Sequence, residues 1–124
     1  DAIDVIAKVG GLDIAGMVGC YLGAAICQMP ILIDGFISAV SAYLACMLNQ
    51  TAKEYMIPTH CSAEPAAKMI MEKLGMEAPL HAGMHLGEGT GAIMGLSLID
   101  QALNVYYHVA TFEGGHVEAY THQV

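Results

Sequence analysis

Glu88 lies in the run His85-Leu86-Gly87-Glu88-Gly89-Thr90-Gly91-Ala92, a single carboxylate set between glycines just ahead of a long apolar helical pattern. A carboxylate in that setting is suited to general acid–base chemistry. Glycines on both sides let the backbone take positive φ or press against a ligand. The helix N-terminus that follows presents free N–H groups suited to an anionic substrate. An ordinary helix-entry turn has the same pattern, so the turn by itself assigns no reaction.

Two further loops bring polar residues to a place where they can join Glu88. Ile31-Leu32-Ile33 is a continuous apolar run ended by Asp34-Gly35, as expected for a central parallel strand covered on both faces. A helix is expected from Phe36 to Leu48, then a second short strand at Tyr55-Met56-Ile57, closed by Pro58 and followed by Thr59-His60-Cys61-Ser62. Helices alternating with strands imply an α/β layered domain with parallel strands. Such sheets bind ligands beyond the carboxyl ends of their strands. Asp34-Gly35 and Thr59 to Ser62 fall at those ends, so three loops are expected to converge on one pocket. Each residue also has a plainer role: Asp34 as a cap on the next helix, Ser62 as a cap on its own, and His60 as a buried polar group.

The elements that position these loops read as follows. Asp1 to Val9 is a helix stopping at Gly10-Gly11, and Leu12 to Cys27 a second, glycine-rich and buried one. Ser62-Ala63-Glu64-Pro65 is a helix-start signature, with a hydroxyl and a carboxylate for capping and proline near the first turn. That helix runs from Ala66 to Leu74 and ends at Gly75, with Lys73 well placed in its last turn. From Ala92 to about His108 the pattern is helical again, with Thr90 a candidate cap. Residues 113–124 show no period and are expected to fray.

Composition excludes several partners. The net charge is −8 and the chain holds no arginine; its cations are Lys8, Lys53, Lys68 and Lys73. A nucleic-acid surface is therefore not expected, nor an anionic membrane surface. A phosphate would depend on backbone N–H groups and hydroxyls, or on a cation from outside the chain. Ile14 to Ile33 carries no charge and approaches the roughly 20 residues that span a bilayer. Gly16, Gly19 and Gly23 punctuate that run and Pro30 interrupts it, so it reads as a buried helix followed by a buried strand rather than a membrane span.

Cys20, Cys27, Cys46 and Cys61 include no C-x-x-C pair and lie in apolar contexts, which fits small hydrophobes in a reducing cytoplasm. His81 and His85 stand four apart, but Pro79 and Gly83 oppose a regular helix there and no third ligand has suitable spacing. No metal site and no cofactor are expected.

In order, Asp4 to Gly11, Pro30 to Ser38, Pro58 to Glu64, His85 to Ala92 and Ala110-Thr111-Phe112 resemble segments of the C-terminal part of the nicotinate-nucleotide:dimethylbenzimidazole phosphoribosyltransferase family. Five motifs in the right order are far more specific than one glycine-rich turn. The resemblance implies a Rossmann-like α/β fold with short parallel strands and predominating helices, of which residues 1–112 would be a C-terminal fragment and 113–124 a tail. It implies transfer of the phosphoribosyl group of nicotinate mononucleotide to 5,6-dimethylbenzimidazole, giving α-ribazole 5′-phosphate for cobalamin. Glu88 matches the family's catalytic glutamate and would accept the azole N–H proton, helped by partial burial against Leu86 and its apolar neighbours. Asp34, Gly35, Ser62, Leu86, Gly87 and Gly89 are expected to bind substrate. A homodimer, or association with an N-terminal portion, is expected as well.

The chain departs from the family in carrying His85 where arginine commonly precedes Leu-Gly-Glu-Gly. The family's earlier phosphate loop and base-pocket residues are not in this sequence, so activity is expected to need them. Two other readings stay open: a non-catalytic assembly fragment, and a related phosphoribosyltransferase with a different acceptor base.

Overall fold

The computed structural model of the protein describes residues 1–115 and Glu118. The tail expected to fray thus lies mostly outside the described residues. Its first part, after Thr111, forms a turn in which Gly115 N–H donates to the Thr111 carbonyl at 2.8 Å.

Helix α1 (Ala2–Val9) starts because the Asp1 side chain accepts from the Ile3 N–H at 3.0 Å. Helix α2 (Leu12–Ile26) buries Val18 and Tyr21. Strand β1 (Ile31–Ile33) leads into α3 (Phe36–Leu48), which buries Ala39, Ser41, Ala42, Leu44, Ala45 and Cys46. Apart from Leu44 these are small residues that let neighbouring elements approach closely, and α3 is the hub on which both α2 and α4 (Pro65–Leu74) pack. Strand β2 (Met56–Pro58) runs parallel to β1, with Ile31 opposite Met56 and Ile33 opposite Pro58. The core gathers Ile33, Ala42, Ala45, Met56, Met71 and Leu74. Helix α5 (Thr90–His108) completes the regular structure of the described residues.

This helix-dominated fold with a short parallel sheet is the one expected from the sequence, with local corrections. A 3-10 turn at Gln50–Tyr55 precedes β2 and moves that strand one residue on, so Tyr55 leaves it and Pro58 joins it. The cause is Asn49, whose side chain accepts from the Thr51 N–H at 3.0 Å and starts the tighter turn. Strand β1 is not covered on both faces: Ile33 is buried, but Ile31 and Leu32 are half-buried, and among the described residues the sheet has two strands. Cys20 and Cys27, expected to be buried, are exposed. No helix among the described residues is long and apolar enough to cross a membrane.

Most of helix α5 is exposed. Ile93, Leu96, Leu103, Val105, Tyr106 and Tyr107 are all exposed on it. Its attachment lies at its start. A Cβ on Gly95 would strike the Thr59 side chain, and one on Gly91 would lie 2.9 Å from His60 Cβ. The Gly91-xxx-Gly95 spacing places both glycines on one side of the helix and lets it close onto the end of β2.

Candidate active site

The end of β1 and the glycine-rich turn are bound to each other. Asp34 follows β1, and its carboxylate accepts from the Ala92 N–H at 2.8 Å and from the Gly89 N–H at 3.3 Å. Asp34 therefore caps α5, not the helix next to it in sequence that the plainer reading assigned to it. Helix α3 is instead capped at Gly35, whose N–H donates to Ser38 Oγ at 2.8 Å while the Ser38 hydroxyl donates back to the Gly35 carbonyl at 2.9 Å.

Glu88 immediately precedes Gly89, the nearer of the two residues whose N–H groups Asp34 accepts, and has an unusual backbone. Gly87, Glu88 and Gly89 take φ values of 77°, 57° and 80°, three left-handed residues in a row. Glycine adopts this region freely, whereas a residue with a Cβ does so at a cost of roughly 1–2 kcal/mol. Thr90, expected as a cap, is the first helical residue; its hydroxyl donates to the Gly87 carbonyl at 2.7 Å and braces the turn. Such strain gathers at functional sites. Glu88 is exposed, and Leu86 is 72% exposed rather than packed over it, so the expected burial of the carboxylate is not supplied by this chain.

Beyond β2, the segment from Thr59 to Ala63 runs beside Leu80 to Met84. Leu80 N–H donates to the Thr59 carbonyl at 3.1 Å, Cys61 N–H to the Leu80 carbonyl at 3.0 Å, and Ala63 N–H to the Met84 carbonyl at 3.1 Å. Ser62 is not the helix cap it was expected to be. Its hydroxyl donates to the Met84 carbonyl at 3.3 Å, leaving its lone pairs free. Glu64 is the N-cap of α4, but its side chain makes no capping bond. His60 is buried, in line with its plainer role.

These loops enclose one cavity of about 550 Å³, lined by Asp34, Gly35, Ser62, Leu86, Gly87, Glu88 and Gly89. Every residue singled out from the sequence as a site candidate borders this space. The expectation that the α5 N-terminus would hold the anionic substrate needs correction, because the Asp34 carboxylate already occupies Ala92 N–H. A second anion there would meet a like charge.

Several lining residues were not singled out as site candidates. Tyr21 of α2 is 3% exposed and lies near the Ser38 hydroxyl. Burial pushes its hydroxyl up to about 12, outweighing the nearby Ser38 hydroxyl, which pulls the other way; Asp34 and Cys20 add smaller upward effects. The phenol thus stays protonated and offers a fixed polar group in the wall. Inside an apolar helix nothing marks Tyr21 out, although Met17 and Tyr21 at i, i+4 both face the cavity. The alternation of His60, Ser62 and Glu64 along an extended segment was a readable signal that all three share a side. Among the described residues no three His, Cys, Asp or Glu side chains come together to hold a metal ion.

Comparison with known proteins shows the family and the fold. The sequence profile of a phosphoribosyltransferase family matches residues 1–117. The chain is 50% identical over 124 residues to the nicotinate-nucleotide–dimethylbenzimidazole phosphoribosyltransferase of Acetivibrio thermocellus, covering all of this chain and 35% of that protein. It is 52% identical over 120 residues to the enzyme of that name in Clostridium acetobutylicum, covering 97% of this chain and 34% of the relative. The crystal structure of the Thermus thermophilus enzyme of that name superposes with a TM-score of 0.87 at 32% identity, covering 95% of this chain and 36% of the other. The chain thus spans about a third of the length of the relatives it matches.

Proposed function

This chain belongs to the nicotinate-nucleotide:dimethylbenzimidazole phosphoribosyltransferase family, and we propose that it carries the acid–base half of that family's active site. The reaction moves the phosphoribosyl group of nicotinate mononucleotide to 5,6-dimethylbenzimidazole. One azole nitrogen attacks the anomeric carbon from the face opposite the leaving group, nicotinate departs with the bonding electron pair, and the configuration inverts. The azole becomes cationic unless it loses its other N–H proton, and Glu88 accepts that proton. The observation that carries this reading is the Asp34 clamp just after Glu88, on the N–H groups of Gly89 and Ala92, which fixes the strained turn at the cavity rim.

Leu86 offers an apolar surface for the flat base, while Gly35, Ser62, Gly87 and Gly89 line the nucleotide's path. Asp34 acts mainly by holding the turn, since both its oxygens are engaged. The phosphate takes its cation from elsewhere in the complete enzyme, because no lysine borders the cavity. Four unpaired cysteines fit a cytoplasmic enzyme, and the charge of −8 fits small-molecule rather than nucleic-acid partners.

The exposed apolar residues of α5 support covering by the rest of the enzyme or by a second subunit. They also support the second reading, an assembly module without turnover of its own. One experiment separates the two: α-ribazole 5′-phosphate formation by this chain alone, by the N-terminal portion alone, and by both together. Product in the mixture supports the proposal. Tight association without product, under conditions where the intact enzyme turns over, favours the assembly reading.

A further inference from the structure

Two polar atoms in the cavity wall lack a hydrogen-bond partner among the described residues: His60 Nε2 and Glu64 Oε2. His60 is 4% exposed, and Glu64 is half-buried with that oxygen sealed from solvent. A buried polar group left unpaired costs about 1–3 kcal/mol, more when it is charged, so a ligand that satisfies it gains correspondingly. Among the described residues no group hydrogen-bonds to the Glu64 carboxylate. It stands at the N-cap of α4 without accepting from that helix, although capping is the ordinary task of an acid at this position.

The chemistry of the two atoms narrows the ligand group. An ionised carboxylate accepts hydrogen bonds and cannot donate them, whereas an imidazole nitrogen does either according to its tautomer. Hydroxyls match both. Phosphate and carboxylate groups do not, because Glu64 shares the cavity with Asp34 and Glu88 and with no lysine, so an anion would be repelled there. A pair of vicinal hydroxyls suits a carboxylate well, since its two oxygens accept one bond from each.

We propose that Glu64 holds the ribose 2′- and 3′-hydroxyls of the phosphoribosyl donor, with His60 as the neighbouring partner. This assignment rests on the nucleotide-site reading above and adds to it which wall faces the sugar. The sealed wall between β2 and α4 takes the diol, and the phosphate points away from it. Glu64 is thereby a specificity-determining residue, selecting ribosyl over deoxyribosyl donors.

Calorimetry on the complete enzyme tests this with nicotinate mononucleotide and its 2′-deoxyribosyl analogue. The native enzyme is expected to bind the ribosyl compound about tenfold or more tightly, the scale of a hydrogen bond to a charged group. In Glu64→Ala that ratio should fall to about twofold or less, and in Glu64→Gln, which keeps the shape, to an intermediate value. Circular dichroism shows whether each variant is folded, and if the alanine variant is not, the glutamine variant decides. An unchanged ratio in a folded variant overturns the assignment, as does a native enzyme that binds both compounds equally. A native enzyme that binds no nicotinate mononucleotide at all overturns the nucleotide-site reading itself, and the assignment falls with it.

Discussion

The Asp34 carboxylate accepts the Ala92 N–H at 2.8 Å across a sequence separation of 58 residues, tying the end of β1 to the first turn of α5. The same carboxylate reaches Gly89 N–H at 3.3 Å, so the backbone directly after Glu88 is held by two bonds to one side chain. Removing such a helix cap typically costs about 1–2 kcal/mol. Asp34→Ala is therefore expected to lower the thermal midpoint by several degrees. It should reduce kcat more than it raises KM, because the turn moves while most substrate contacts remain. Equal stability and kcat in the variant would show that the Asp34 clamp does not position Glu88.

Glu88→Gln keeps the side chain's shape and removes its capacity to take a proton. In the complete enzyme, turnover is expected to fall roughly 10²–10⁴-fold with the circular dichroism spectrum and melting temperature unchanged. Near-native turnover would remove Glu88 from the role of base.

Gly95→Ala places a methyl group against the Thr59 side chain. Thr59 cannot yield easily, because it is buried and its hydroxyl donates to the Ile33 carbonyl at 2.6 Å. Overpacking of this kind costs about 1–3 kcal/mol. Gly23→Ala, where a Cβ would meet nothing within 4 Å, is the matched control and should be neutral or slightly stabilising. Chemical denaturation of both variants checks the contrast, and equal midpoints would refute it.

Tyr21 gives the fold an alkaline limit. Its hydroxyl is raised from 10.0 to about 12 by burial, so the folded state holds the proton more tightly than the unfolded chain does. The associated stability, on the order of 2–3 kcal/mol, is present in full below pH 10 and is lost as pH rises toward 12. Tyr21→Phe removes this dependence. Denaturation midpoints measured across that range should decline less steeply in the variant; parallel declines would count against the assignment.

Much of this is readable in the sequence because the signals are local. Gly10 and Gly75 stop α1 and α4, the apolar run Ile31 to Ile33 makes a strand, and Phe36 to Leu48 carries a helical pattern with the bounds observed. The three loops at the strand ends can likewise be inferred to meet, since parallel strands place their carboxyl ends together. What stays hidden is which partner each polar side chain chooses. Asp34 passes over its own neighbouring helix for one far along the chain, and Ser62 leaves its helix for the Met84 carbonyl. Such choices depend on three-dimensional proximity, which periodicity does not encode. The exposure of Leu86 and Glu88 escapes the sequence for a related reason: an apolar neighbour along the chain is not a covering neighbour in space.

The left-handed run at Gly87, Glu88 and Gly89 sets survival and usefulness against each other at one position. Glycine at position 88 would relax the turn, so selection for heat resistance alone favours discarding the side chain the proposed chemistry requires. Retaining glutamate there means accepting a less durable protein in return for a reactive group held at a fixed bearing. Designers who graft this turn onto another scaffold must import its brace, Asp34, along with it. Without that anchor the borrowed loop would relax toward ordinary backbone geometry and swing the carboxylate out of line.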